Sequence, residues 1–331
     1  MIRKLLPRSM RSLRPAKTYD VDVTIGVPCF NGRKTLERAL DSALGQTYRG
    51  AYEIIVVNDG STDTTANIAK AYELRFPDYI RLITTSNKGV AAARNEIIKS
   101  ARGEYLTWLD ADDAYFPTKI AAQIGDLKEL EKKSGQQALR LVMSEYRING
   151  NNSNVRQYLA DPIRHVLTGE LRAYLWATMA RTSIYKVVGP FNQKLHRSED
   201  QDWLLRFLRK GGKIQQRTRQ PLMHYSFSTS RNGKHVEESL HHILSTYGRL
   251  LDKYGIRAEF EPRRYWEIAG FYKANKKWDD MWRCRGMAVK KDFDTYFPKL
   301  IGEVIREMDQ RDSDLGARVL SEVEAFRKTN P

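Results

Sequence analysis

Three observations predict an α/β fold, with a mostly parallel central sheet sandwiched between helices and a helical appendage behind it. Between residues 21 and 135, β-branched runs alternate with segments of helical spacing. The runs are apolar almost throughout rather than at every second residue, the pattern of strands covered on both faces. Beyond about residue 236 the β-branched runs stop, and Tyr, Trp and Leu recur at helical spacing. With 331 residues and 41% apolar content, the chain is long enough for one large domain and a smaller one. The division expected is a basic tail over 1–18, an α/β domain over 19–235 and a helical region over 236–331.

The elements follow in order. "VDVTIGV" (21–27) predicts a strand that "PCFNG" ends with turn formers. Leu36, Ala39, Leu40, Ala43 and Leu44 then share one helical face. "YEIIVVND" (52–59) predicts the second strand, and "GSTD" supplies the turn and cap for a helix carrying Ile68, Ala69, Tyr72 and Phe76. "IRLIT" (80–84), a helix over 90–101 and "EYLTWLD" (104–110) continue the alternation. Pro117 suits the first turn of a helix over 117–132. Mixed strands near "LRLVMSEYR" and "LWATMAR", the helix "EDQDWLLRFLRKGG" and strand-like "PLMHYSFS" complete the domain. The helical remainder shows no internal repeat, although paired short helices of solenoid type match its length.

Charge and cysteine usage narrow the class. The formal net charge is +16, and Arg3, Lys4, Arg8, Arg11, Arg14 and Lys17 crowd into a tail without acids. Interleaved with Ile2, Leu5, Leu6, Met10 and Leu13, this arm reads either as a solvated tail or as a contact with an anionic membrane surface, where each basic group contributes about 1 kcal/mol. No homeodomain, zinc-finger or RNP pattern supports nucleic acid as a partner. Without an apolar run of membrane-spanning length or a secretory signal, the expectation is a soluble cytoplasmic protein, with peripheral attachment to the inner face of the cytoplasmic membrane resting on the tail. Cys29 and Cys284 lack the spacing of a disulfide framework or a zinc site.

In parallel sheets ligands bind beyond the carboxyl ends of the strands. That rule gathers four loops on one edge: 28–32, 58–63, 86–89 and 110–113. Neither GxGxxG nor GxxxxGK[ST] occurs in them, so a phosphate ligand would need its charge met otherwise, and carboxylates holding a metal ion are the usual substitute. "LTWLDADDAYF" supplies Asp110, Asp112 and Asp113. In an extended segment Asp110 and Asp112 lie on one side and can converge on one divalent cation, or on a sugar hydroxyl plus that cation; oxygen-only ligands suit Mn²⁺ or Mg²⁺. One aspartate would serve as a helix cap; three exceed what capping requires.

The blocks "VTIGVPCFNGRKTLERALDSALGQTY", "YEIIVVNDGSTDTT", "NKGVAAARN" and "GEYLTWLDADD", with "WATMARTSIYKVVGPFNQKLHRSEDQDWLLRFLRKGGKI" further on, resemble the successive signatures of glycosyltransferase family 2, with its nucleotide-binding GT-A fold. The resemblance covers about two thirds of the chain. It implies a metal-dependent, inverting enzyme that moves a sugar from a nucleotide-sugar donor, UDP-linked, to a hydroxyl of a glycan or glycolipid acceptor, as in cell-surface polysaccharide synthesis. Residue by residue, it implies that Pro28, Phe30 and Asn31 wall the nucleotide base and ribose, and that Asp59 reads the base edge. Lys88 and Arg94 would lie beside the sugar-phosphate, and Asp110 and Asp112 match the DXD motif, with Asp112 the direct metal ligand. Asp200 matches the base of the "ED" motif, with Glu199 and Asp202 as neighbours that orient or bind acceptor; first-turn acids are also what a helix dipole favours. Trp176 is a candidate acceptor platform or a core residue. The Tyr-Arg segment expected late in the family reads "LMHYSFSTSRNGKH" here, with Ser226 in place of Arg, leaving His224, Arg231 and His235 to compete for the diphosphate. The alternative of another class is a non-catalytic protein binding membrane or nucleic acid through a degenerate GT-A domain.

Overall fold

A computed structural model describes residues 21–134, 138–148, 151–152, 159–171, 174–216, 221–225 and 232–309. The chain divides into two compact units, one running to Thr229 and the other starting at Ser230.

The alternation read from the sequence is present in the first unit as β1 (Val23–Cys29), α1 (Leu36–Leu44), β2 (Tyr52–Asp59), α2 (Thr65–Arg75), β3 (Ile80–Thr85), α3 (Val90–Ser100) and β4 (Tyr105–Trp108). The strand expected over 104–110 stops at Trp108, which releases Asp110 into a loop, and the helix expected from 117 starts two residues later as α4 (Lys119–Ser134). Every residue of β1, β2 and β4 is buried, as helical cover on both faces requires. Two short strands separate β4 from the later helices: β5 (Ala114–Tyr115) and, after α4, β6 (Arg140–Met143). Then follow β7 (Glu145–Ile148), β8 (Asn151–Asn152), α5 (Pro162–Thr168), β9 (Thr178–Arg181), α6 (Thr182–Val188), α7 (Glu199–Arg209), β10 (Lys213–Gln215) and β11 (Pro221–Tyr225).

Among the described residues the main sheet runs β10-β6-β9-β4-β1-β2-β3, parallel except where β9 pairs with β4 and β6. The chain builds outward from β1 through β2 to β3, then returns to place β4 on the other side of β1. Right-handed crossovers therefore put α1 and α2 on one face and α3 on the other. The reversal between β1 and β4 is a topological switch point, and the loops leaving these two strands flank a crevice at the sheet edge. Close approach of α3 is required there: a Cβ at Gly26 would lie 2.6 Å from Ile97 Cγ2. In a second sheet, β5-β11-β7-β8, the strands read from "LRLVMSEYR" and "PLMHYSFS" supply β7 and β11, whereas β5 and β8 have no counterpart in the sequence reading. Strands of two residues leave no periodicity to detect.

An aromatic column joins the end of β4 to α7. Trp108 lies edge-on to Tyr185 (5.6 Å) and donates its Nε1–H to the Tyr185 hydroxyl at 2.8 Å; Tyr185 stacks on Trp203 (4.6 Å), and Trp203 on Phe207 (5.8 Å). Trp203 also donates to the Gly189 carbonyl at 3.1 Å and is fully buried. Trp203→Ala is expected to cost about 3–5 kcal/mol, readable as a lowered denaturation midpoint.

The second unit consists of α8 (Gly233–Lys253), α9 (Arg257–Ala274), α10 (Trp278–Lys291) and α11 (Phe293–Asp309). Buried Glu237 pins three of them: it accepts from the Tyr272 hydroxyl at 2.8 Å and from both ends of the Arg283 guanidinium at 2.6 and 2.8 Å. Arg285 lies 3.5 Å from the Trp266 ring centroid and pairs with Glu303 at 2.7 Å. Tyr265 and Tyr272 are thus used in helix packing, whereas Trp278 and Trp282 stay exposed.

Candidate active site

The loops after β1 and β2 are tied to each other. Asn31, at φ 50°, donates its amide N–H to Ser61 Oγ (3.0 Å), and its Oδ1 accepts from the Thr62 amide (2.9 Å). Its side-chain oxygen therefore fastens one loop to the next. Pro28 corrects the reading of a wall: it is buried inside β1, in register with Val57. Gly26 accepts from Leu109, so Pro28, two residues on, faces the same side just past the end of β4, where its missing N–H breaks no ladder. Of the three wall residues, Phe30, on the loop leaving β1, is 50% exposed, an aromatic surface that a base can cover.

Asp59, at the end of β2, is buried and accepts three hydrogen bonds from the loop after β3: Thr85 Oγ1 (3.2 Å) and Lys88 N (2.9 Å) on Oδ1, and Gly89 N (2.7 Å) on Oδ2. These shape the loop and leave carboxylate capacity for one further donor, since two oxygens carry about four acceptor sites. The Lys88 side chain itself is exposed. Gly60 is required beside Asp59, because φ is 67° and a Cβ would lie 2.5 Å from Asn87 N.

The acidic loop after β4 is a turn rather than the extended segment expected: Asp113 N donates to Asp110 O at 3.0 Å, and the turn, not a strand pleat, brings Asp110 and Asp112 together. Arg38 of α1 donates to the Asp112 carbonyl. Below the turn Lys119 is fully buried, donates to Thr107 Oγ1 and lies 4.1 Å from the Tyr115 ring centroid; burial pushes its ammonium well below the ordinary lysine range. Burial, then the neighbouring Asp110, raises the Asp112 carboxyl above the ordinary carboxylate range. Asp110 is 28% exposed and meets Arg94 through Oδ1 alone. Two adjacent oxygen donors, one destabilised as an anion by its neighbour, fit a hard divalent cation.

Arg94 connects this loop to α7. Instead of a solvated position on a helix surface, it is 5% exposed. Its Nη2 lies 3.1 Å from Asp110 Oδ1, its Nη1 pairs with Glu199 Oε1, and its guanidinium lies 5.8 Å from the Phe191 ring centroid. Burial works against its charge, but Asp110, Glu199 and Asp200 outweigh that and hold its pKa above the usual value.

The "ED" acids separate by helical geometry. Glu199 and Asp202, three apart, lie on the buried stripe with Trp203. Glu199 pairs with Arg94 through Oε1. Asp202 corrects the acceptor assignment: it is buried and accepts from Arg206 Nε at 2.9 Å, and Arg206 in turn donates to the Val188 and Pro190 carbonyls. Asp200 stands off that stripe, keeps some surface open and accepts from the Gln201 amide at 2.7 Å. Burial, then Glu199, push its carboxyl up to about 7, against the opposing pull of Arg94. Ser198, immediately before the pair, is held at φ 62°, a left-handed conformation that costs a non-glycine residue about 1–2 kcal/mol and is often found at functional sites.

Trp176 is core rather than acceptor platform: it is 2% exposed, stacked on Tyr174 at 4.5 Å and edge-on to Tyr146 at 5.0 Å. The β11 backbone sets His224 in register with Ala114, beside the acidic turn. His235 lies in the first turn of α8, in the second unit, and Arg231, Ser226 and the basic tail lie outside the described residues. Among the described residues, no helix is long and apolar enough to cross a membrane. Sequence reasoning missed the bridge made by Arg94. Its signal was present, since Arg94 falls three residues from both Ala91 and Ile97, on the buried stripe of α3.

Comparison with solved structures identifies the fold. TarS 1-349 of S. aureus in complex with UDP superposes with a TM-score of 0.52 at 18% identity, covering 89% of this chain and 92% of that one. Mannosyltransferase PcManGT of Pyrobaculum calidifontis, in complex with GDP-Man and Mn²⁺, gives a TM-score of 0.53 at 17% identity, covering 86% and 81%. The fold is of the GT-A type. Residues 24–231 match the sequence model of Glycosyl transferase family 2, and an uncharacterized glycosyltransferase of Rickettsia typhi is 36% identical over 202 residues, 58% of this chain and 60% of that protein. The chain belongs to glycosyl transferase family 2. It spans less than two thirds of this relative, and a third of two further Rickettsia glycosyltransferases.

Proposed function

We propose that the protein is a metal-dependent inverting glycosyltransferase that transfers a sugar from a UDP-linked donor to a hydroxyl of a glycan or glycolipid acceptor in cell-surface polysaccharide synthesis. The observation that carries this reading is the pair of acidic centres at one sheet edge, Asp110 with Asp112 and Glu199 with Asp200, joined through Arg94. The UDP complex of TarS and the GDP-Man and Mn²⁺ complex of PcManGT support the donor class and the cation.

In this reading Phe30 stacks on the base and Asp59 spends its remaining acceptor capacity on a base N–H. Asp110 and Asp112 would hold Mn²⁺ or Mg²⁺, which would neutralise charge on the diphosphate. Asp200 accepts the proton of the acceptor hydroxyl as its oxygen bonds to the anomeric carbon. The bond from that carbon to the diphosphate oxygen breaks on the opposite side, and its electron pair leaves with the nucleoside diphosphate. A carboxyl near 7 suits this step, because a base is most effective when its pKa lies near the working pH. The basic tail would hold the enzyme at an anionic membrane surface, near a lipid-linked acceptor.

Two measurements bear on the proposal. Calorimetric titration with UDP is expected to show binding that strengthens markedly with Mn²⁺; equal affinity with and without the ion would remove the cation from the account. The pH profile of kcat/KM is expected to rise through an apparent pKa near 7, because Asp200 works only when deprotonated. A flat profile between about pH 6 and pH 8 would contradict that role.

A further inference from the structure

We infer that Arg94 is a positioning residue that couples the donor half of the site to the acceptor half, so that its ion pair with Glu199 sets how well Asp110 binds a cation. The inference rests on the reading of Asp110 and Asp112 as cation ligands. Arg94 is buried and holds Asp110 with one arm and Glu199, 105 positions later, with the other. A guanidinium is a planar, rigid fork, so the two carboxylates are held in fixed relation, and with little solvent between them their competition for one positive charge is weakly screened.

The consequence follows from charge balance. With the Glu199 carboxylate in place, Arg94 divides its charge between two partners, and Asp110 keeps enough negative charge to serve as a ligand. With an uncharged side chain at 199, Arg94 would rest on Asp110 alone and make it a poorer ligand. Linkage is reciprocal, so a cation drawing on Asp110 strengthens the hold of Arg94 on Glu199, beside Asp200. Donor loading and the environment of the acceptor base are thereby joined through one side chain that need not touch donor or acceptor.

A double-mutant cycle on the full chain, read by calorimetric titration with UDP and Mn²⁺, tests this. Glu199→Gln is expected to weaken Mn²⁺-dependent UDP binding by about fivefold or more, although Glu199 is not among the donor ligands. In an Arg94→Gln background the same change should have an effect below about twofold. If Arg94→Gln does not fold, Arg94→Lys supplies the background, since its point charge cannot fork across two carboxylates, and the coupling should again shrink. Equal effects in both backgrounds, or none in either, would overturn the coupling while the cation reading stands. Wild-type binding indifferent to Mn²⁺ would overturn both.

Discussion

Asp200→Asn is expected to lower the transfer rate by about 10²- to 10⁴-fold, the usual contribution of a general base, while leaving Mn²⁺-dependent UDP binding in place. Asparagine keeps the oxygen that accepts from the Gln201 amide, so the start of α7 is preserved and the loss is confined to proton transfer. The same variant should be more stable than the wild type at neutral and alkaline pH. The Asp200 carboxyl is pushed up to about 7 in the folded protein, against about 3.9 in an unfolded chain. Below about pH 4 the group is neutral in both states and carries no penalty. As pH rises through that window the unfolded chain releases its proton first, and above about pH 7 the full penalty applies. The gain in melting temperature of Asp200→Asn should therefore be larger at pH 8 than at pH 5, which a pair of calorimetric scans can check. A rate loss accompanied by lowered stability would instead mark Asp200 as structural.

Asp112→Ala should have the converse signature, a loss at the donor. Its carboxyl is raised by burial and by Asp110, so a cation that relieves this repulsion gains much of its affinity there. Removing it is expected to weaken Mn²⁺-dependent UDP binding by about two orders of magnitude, within the several kcal/mol a catalytic cation supplies to a charged group. The folded protein should lose nothing, because deleting one of two repelling carboxylates relieves strain in the apo state; thermal scans without Mn²⁺ measure this.

The parts of the molecule that were legible in the sequence are those whose signal is local. Continuous apolar runs mark β1, β2 and β4, and the face made by Leu36, Ala39, Leu40, Ala43 and Leu44 marks α1. The four loops follow because a parallel sheet allows them only one edge. What was hidden depends on contacts between distant positions. β5 is two residues long and exists because β11 pairs with it. The roles of the acids in "ED" and its neighbour depend on which side of α7 meets Arg94 and Arg206, which residue type alone does not reveal. Trp176 reads in the sequence as a strand aromatic that can face either way, but it lies in a single 3-10 turn, Leu175–Ala177, and packing with Tyr146 and Tyr174 decides its place in the core.

The central claim is a division of labour, in which Asp110 and Asp112 would hold the cation that neutralises the leaving diphosphate and Asp200 would activate the acceptor. The most direct test measures UDP binding in the presence of Mn²⁺ for Asp112→Ala and Asp200→Asn side by side. The first is expected to lose affinity and the second to bind like the wild type. Retained affinity in Asp112→Ala, or an equal loss in both variants, would contradict it.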